Sequence, residues 1–279
     1  MHRTVIQANT PWWQIPFGEL VEYRDLLRML ILRDLATVYK QTILGPLWFF
    51  IQPFMMTVVF TVIFGKVAKI ATGGIPHFVF YMSGTVVWNY FQGVLNTSAN
   101  CLLSNSGLFS KVYFPRLIIP LSGVFTNLVL LGLNMVMFLA VYLYYLAKPG
   151  TAMDPGWALA LLPVLVVHTA MAGLGFGLWV SGLTTKYRDL KFALPMLLQM
   201  WMYATPIVYP ANGVVNPWFR AVLWLNPMSA IVEYARYAFT GLNPIPAAAL
   251  VASWGVTLLV LASGVVFFNK VQRTFVDTI

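Results

Sequence analysis

Residues 24–53 read RDLLRMLILRDLATVYKQTILGPLWFFIQP, and this stretch decides the fold. Leu20, Tyr23, Leu27, Leu30, Ile31 and Val38 recur at helical spacing and make one apolar stripe. Glu22, Arg24, Asp25, Arg28, Arg33 and Lys40 take most of the remaining arc. Such a helix lies on a membrane surface or against a partner protein at that surface. Charge then stops, and residues 41–65 hold no ionisable side chain. A Gly45-Pro46 pair separates the two halves, so a surface helix runs almost directly into a membrane span.

Composition places the rest of the chain in the same setting. It is 59% hydrophobic and 9% charged, against roughly a quarter charged in soluble domains. The excess is gathered into long uncharged runs, which marks a polytopic membrane protein. The first twenty residues lack a basic region followed by an apolar core, so no removable signal peptide is expected. Cys101 is the single cysteine, which excludes an intrachain disulfide. The basic balance, with a pI near 9.7, fits cytoplasmic-side Lys and Arg facing anionic headgroups rather than nucleic acid.

Six runs have the length of a bilayer crossing: 47–64, 78–99, 118–146, 158–183, 192–209 and 249–268. Between the last two, residues 210–246 are apolar but broken by Pro210, Pro217, Pro227, Pro244 and Pro246. The predicted fold is therefore an all-α membrane protein. It has six transmembrane helices, an N-terminal amphipathic interface helix, and short re-entrant or outer helices between spans five and six. Residues 1–45 form the N-terminal segment and 46–279 the transmembrane domain. With both termini cytoplasmic, only Lys66, Lys69, Lys148, Arg220 and Arg236 of the seventeen Lys and Arg residues fall outside, as the positive-inside rule requires.

Absences narrow the function. No GxxxxGK[ST] loop occurs, so ATP is not bound in the P-loop manner. His2, His77 and His168 are scattered, and no metal-ligand cluster is visible. None of the eight acids lies in a predicted span, which disfavours an ion-coupled carrier. No paired-acid or acid–His constellation points to a membrane hydrolase or glycosyltransferase. A passive or externally powered conduit is left.

Several motifs now resemble a known family. YKQTILGPLW at 39–48 with Gln52-Pro53, SKVYFPR at 110–116 with Ile119-Pro120, and YRDL at 187–190 with Pro195 occur in that order. Gln199, TPIVYP at 205–210, and Asn226-Pro227-Met228 with Glu233 and Arg236 complete the series. The set resembles the membrane subunit of type-2 ABC exporters, nearest the bacterial exporters of O-antigen, capsule or teichoic acid. Val38 departs from the family's frequent Arg. The resemblance implies a bacterial inner-membrane permease, working as a homodimer with two cytoplasmic ATPase subunits, and lipid-linked polysaccharide as cargo. ATP and magnesium would then be held by the ATPase subunits, with no cofactor in this chain. The alternative is the same machinery with a drug, lipid or teichoic acid cargo.

The resemblance implies that the inner loop 105–116 is the coupling element docking into the ATPase. Leu108, Phe109 and Phe114 would be its apolar anchors and Lys111 and Arg116 its basic groups, although a plain inner loop would also be basic. Arg24, Arg28, Arg33, Asp34 and Lys40 are the candidate ATPase contacts on the interface helix. Asp34 falls inside the apolar stripe, where a protein partner, an Arg pair or solvation at the membrane rim would each satisfy it. In the second span, Thr85, Asn89, Gln92, Asn96 and Asn100 share one helical face. They serve either as helix–helix glue or as the wall of a hydrated sugar path. Tyr81, Trp88, Tyr90, Gln199 and Tyr203 are further lining candidates, since aromatic rings stack on sugars; Trp and Tyr also collect at any membrane interface. His168, near the middle of the fourth span, is expected to hydrogen-bond between helices. Gly173 and Gly177 allow close helix packing there.

Overall fold

The structure is a computed structural model and describes residues 17–39, 45–109, 114–151, 153–187 and 189–275. Those residues contain helices and no strand. Two N-terminal helices, α1 (Phe17–Glu22) and α2 (Arg24–Tyr39), precede α3 (Trp48–Phe60), whose last turns widen into a π-helix over Thr61–Val67. Then come α4 (His77–Ala99), the short α5 (Cys101–Ser104) and α6 (Ser106–Phe109), and the long α7 (Ile118–Leu146). The chain continues with α8 (Leu162–Lys186), α9 (Leu190–Ala204), α10 (Pro217–Leu225), α11 (Pro227–Thr240) and α12 (Ala247–Phe275).

Among the described residues, four helical stretches are long and apolar enough to cross a membrane: Trp48–Val67, Ile118–Leu146, Trp157–Lys186 and Ala247–Gln272. The remaining two expected spans differ in kind. With 23 residues α4 is long enough, but its row of amides makes it the most polar of the long helices. With 15 residues, α9 extends about 22 Å at 1.5 Å per residue, less than a hydrocarbon core of about 30 Å.

The polar helix is the one placed inside. Most of α4 is buried, from Val79 to Ala99, under α3, α7, α8 and α11. Close packing around it depends on missing side chains. A Cβ on Gly177 of α8 would stand 2.5 Å from Ser98 Cβ and 2.9 Å from the Leu95 carbonyl oxygen. On another side of α8, a Cβ on Gly264 of α12 would stand 2.7 Å from the Gly175 carbonyl oxygen. Gly177, expected to permit close approach, thus seats α8 on α4, and Gly264 of α12, which was not expected, seats α12 on α8. His168 joins the same seam, with Nε2 3.0 Å from Thr257 Oγ1 and 3.4 Å from Ser253 Oγ. Its ring stacks on Trp254 at 4.0 Å.

The proline-broken segment is more ordered than its composition implies. Two of its prolines begin helices rather than interrupt them. Asn216 and Asn226 each accept from the backbone N–H two residues on, at 3.0 and 3.1 Å, and Pro217 and Pro227 follow as first helical residues. A proline there loses nothing, because that N–H has no partner within the helix. Gly241 ends α11 at φ +67°, and a Cβ there would collide with the Asp154 carbonyl oxygen, so both the turn and the contact demand glycine.

Candidate functional site

The inward stripe of α2 does not face lipid. Leu20, Tyr23, Leu26, Leu27 and Leu30 pack on Cys101, Leu102, Phe114, Ile118, Leu178 and Phe268. Leu30 is only 6% exposed. This second apolar cluster welds α2 to α5, to the start of α7 and to the ends of α8 and α12. On the opposite arc Arg24, Asp25 and Arg28 are exposed, and so is Met29, at 69%. A charged and partly apolar face is thus left open.

Asp34 resolves to an arginine pair. Arg33 Nε and Nη2 donate to its carboxylate at 2.9 and 2.7 Å. Nη2 also lies 3.5 Å from Asn105 Oδ1, a long contact that still joins α2 to the inner loop. In that loop Leu108 is half-buried against the cluster and Phe114 is buried within it. Phe114 therefore holds the loop to its own protein, which corrects the expectation that it projects as a docking anchor. Arg116 donates to the Gln272 carbonyl near the end of α12. Lys40 and Lys111 lie outside the described residues, as does the side chain of Phe109.

The predicted lining separates into two groups. Tyr81, Trp88 and Tyr90 are 0%, 1% and 4% exposed. Tyr81 packs on Phe60 and Phe80, and Trp88 on Phe91 and Trp201. Burial removes these three from the candidate lining, because α4 turns its aromatic arc towards the other helices. The amide arc behaves differently. Thr85 is buried and lies 3.4 Å from Thr57 of α3, and Asn100 donates to the Asn96 backbone carbonyl at 2.9 Å. Between them Asn89, Gln92 and Asn96 are half-buried, with no side-chain hydrogen bond among the described residues. Polar groups at membrane depth need a partner, so this strip calls for water, another chain or a polar ligand. On α9, Gln199 donates to the Tyr203 hydroxyl at 3.3 Å, and both are exposed.

The sequence passed over α11 as a place for buried charge. Glu233 and Arg236, positions of resemblance of which Arg236 also counts among the outer basic residues, are paired inside the protein.

Apolar helices wrapped around a helix with an unsatisfied amide strip, and bearing a docked amphipathic helix, define a polytopic membrane protein built to pass something polar. The profile of the ABC-2 type transporter family matches residues 25–240. The chain belongs to that family. It is 28% identical to the O-antigen export system permease protein RfbA of Myxococcus xanthus over 263 residues, covering 94% of this chain and 98% of that protein. To the protein of the same name from Klebsiella pneumoniae it is 26% identical, over 91% and 94% of the two chains. It is also 24% identical to the polysialic acid transport protein KpsM of Escherichia coli, over 75% and 79%.

Proposed function

We propose that this chain is the channel-forming permease subunit of an ATP-driven exporter that moves lipid-linked polysaccharide across the bacterial inner membrane. The observation that carries the proposal is near full-length similarity to O-antigen export permeases. The unpartnered Asn89–Gln92–Asn96 strip supports it, since primary amides exchange hydrogen bonds with sugar hydroxyls as easily as with water. Two copies line the path, and two ATPase subunits drive it from the cytoplasm, where both termini lie. In this reading α4 and α9 are the second and fifth of six spans, and α9 completes its crossing through the connector that follows it.

The mechanism follows from where load can enter. ATP-driven closure of the ATPases presses on the open face of α2 and on the inner loop. Because Leu30 and Phe114 share one apolar cluster, the two surfaces move together. That motion passes to α7, α8 and α12, whose inner ends meet there. The loosely held α9 is then the element free to swing.

Purification of the chain with the ATPase encoded beside it tests this. A complex of two permeases and two ATPases is expected, with hydrolysis stimulated by lipid-linked glycan. A chain that purifies alone, and neither binds nor responds to that ATPase, overturns the proposal.

A further inference from the structure

The buried pair on α11 has no part in the account so far. Glu233 and Arg236 sit one turn apart with side chains 6% and 1% exposed, and Oε1 lies 3.1 Å from Nη1. A buried ion pair seldom adds stability over apolar residues of the same size, because desolvation offsets the attraction. What each ion holds is therefore the informative point.

Glu233 Oε1 accepts from the Ala211 backbone N–H at 2.7 Å. Arg236 Nη2 reaches the carbonyl oxygens of Pro206 at 3.1 Å, Ile207 at 3.4 Å and Phe80 at 3.4 Å. Its guanidinium lies over the Phe80 ring, 3.5 Å from the centroid. Both ions thus grip the connector 205–211 that leaves α9, and Arg236 ties that connector to α4.

Two further observations mark this grip as releasable. The bonds to Nη2 are at the long end of the range, and Arg236 Nε has no hydrogen-bond partner, so spare donors are at hand for an exchange. In addition, α9 is weakly held elsewhere: Leu194, Leu198 and Met202 are buried, while Phe192, Met196, Met200 and Tyr203 are exposed. A helix packed so lightly takes its position from what fixes its ends.

We propose that Glu233 and Arg236 are positioning residues that latch the outer end of α9. Outward opening of the conduit then requires the 205–211 connector to slip from Arg236 and Phe80. The inference rests on the export function proposed above.

A reversible lock tests it. A Cβ on Gly84 of α4 would stand 3.2 Å from Ile207 Cγ2, which puts Gly84→Cys and Ile207→Cys within bridging reach. A Cys101→Ser background removes the native thiol. In proteoliposomes carrying the ATPase and lipid-linked glycan, oxidation should form the bridge and lower export at least about tenfold. ATP hydrolysis should stay within about twofold, as for a blocked gating step, and reduction should restore export. Undiminished export through the bridged protein overturns the latch, and so does failure of the bridge to form. If the unmodified protein exports no glycan, the export reading fails instead. If the cysteine pair does not export even when reduced, Arg236→Lys decides. It keeps the charge but drops the shared grip, and must change the glycan exported per ATP at least about threefold in an assembled complex. An unchanged ratio overturns the latch.

Discussion

Gly177→Ala probes how the core is closed. The new Cβ would stand 2.5 Å from Ser98 Cβ, 2.9 Å from the Leu95 carbonyl oxygen and 3.3 Å from Leu95 Cα. Ordinary carbon contacts begin near about 3.5 Å, and two of these three atoms belong to the α4 backbone, which no rotamer change can clear. The helices must separate or shear by roughly 1 Å. Overpacking a tight core costs about 1–3 kcal/mol, and fixed backbone puts this site near the top of that range. Gly255 on α12 is the control, since a Cβ there meets nothing within 4 Å. Gly255→Ala should be neutral or stabilising by up to about 1 kcal/mol through helix propensity. The two variants should differ by about 3 kcal/mol, or about 6–12 °C in Tm for a chain of this size. Thermal unfolding in detergent, followed by loss of the monodisperse species, measures the gap. Equal midpoints would refute the close approach of α4 and α8.

Leu30→Asp buries a carboxylate in the inner cluster and should release α2, making residues 17–39 sensitive to protease and lowering export more than about tenfold; protection equal to wild type contradicts the docking. Replacing Asn89, Gln92 and Asn96 together by Leu should leave Tm within about 2 °C, because their side chains make no hydrogen bonds among the described residues, yet lower export about tenfold; full export by the triple variant removes the strip from the path. His168→Phe takes the partner from the Thr257 hydroxyl, while Ser253 still donates to the Pro227 carbonyl, and should cost about 1 kcal/mol, a Tm fall of about 2–4 °C, with ATPase stimulation unchanged; an unaltered Tm shows that the seam does not depend on the imidazole.

How much of this was legible in the sequence depended on which property was asked of a residue. The long apolar runs gave the bounds of the four membrane-length helices within a few residues, and α7 matched at both ends, because helix length in lipid is set by hydrophobicity. The α2 stripe was visible from its spacing, but spacing cannot tell lipid from protein as the surface that covers it. Tyr81, Trp88 and Tyr90 differ from expectation for a related reason. An aromatic side chain suits a core as well as a sugar path, and only the facing of α4 distinguishes the two. The amides on the same helix remain half-buried because its opposite arc carries the large apolar groups. Short helices between spans five and six were expected, but their starts were not, since Pro217 and Pro227 read as breaks although each follows a capping Asn. Glu233 and Arg236 do not stand out as buried charge because helices at the outer leaflet would leave them near water.

Passage of a polysaccharide by this chain is read from the glycan at the cell surface. Deleting the chain from its host should abolish surface polysaccharide while lipid-linked glycan accumulates on the cytoplasmic face, and the intact chain should restore export. Unchanged surface polysaccharide in the deletion strain, with no intracellular accumulation, would contradict the account.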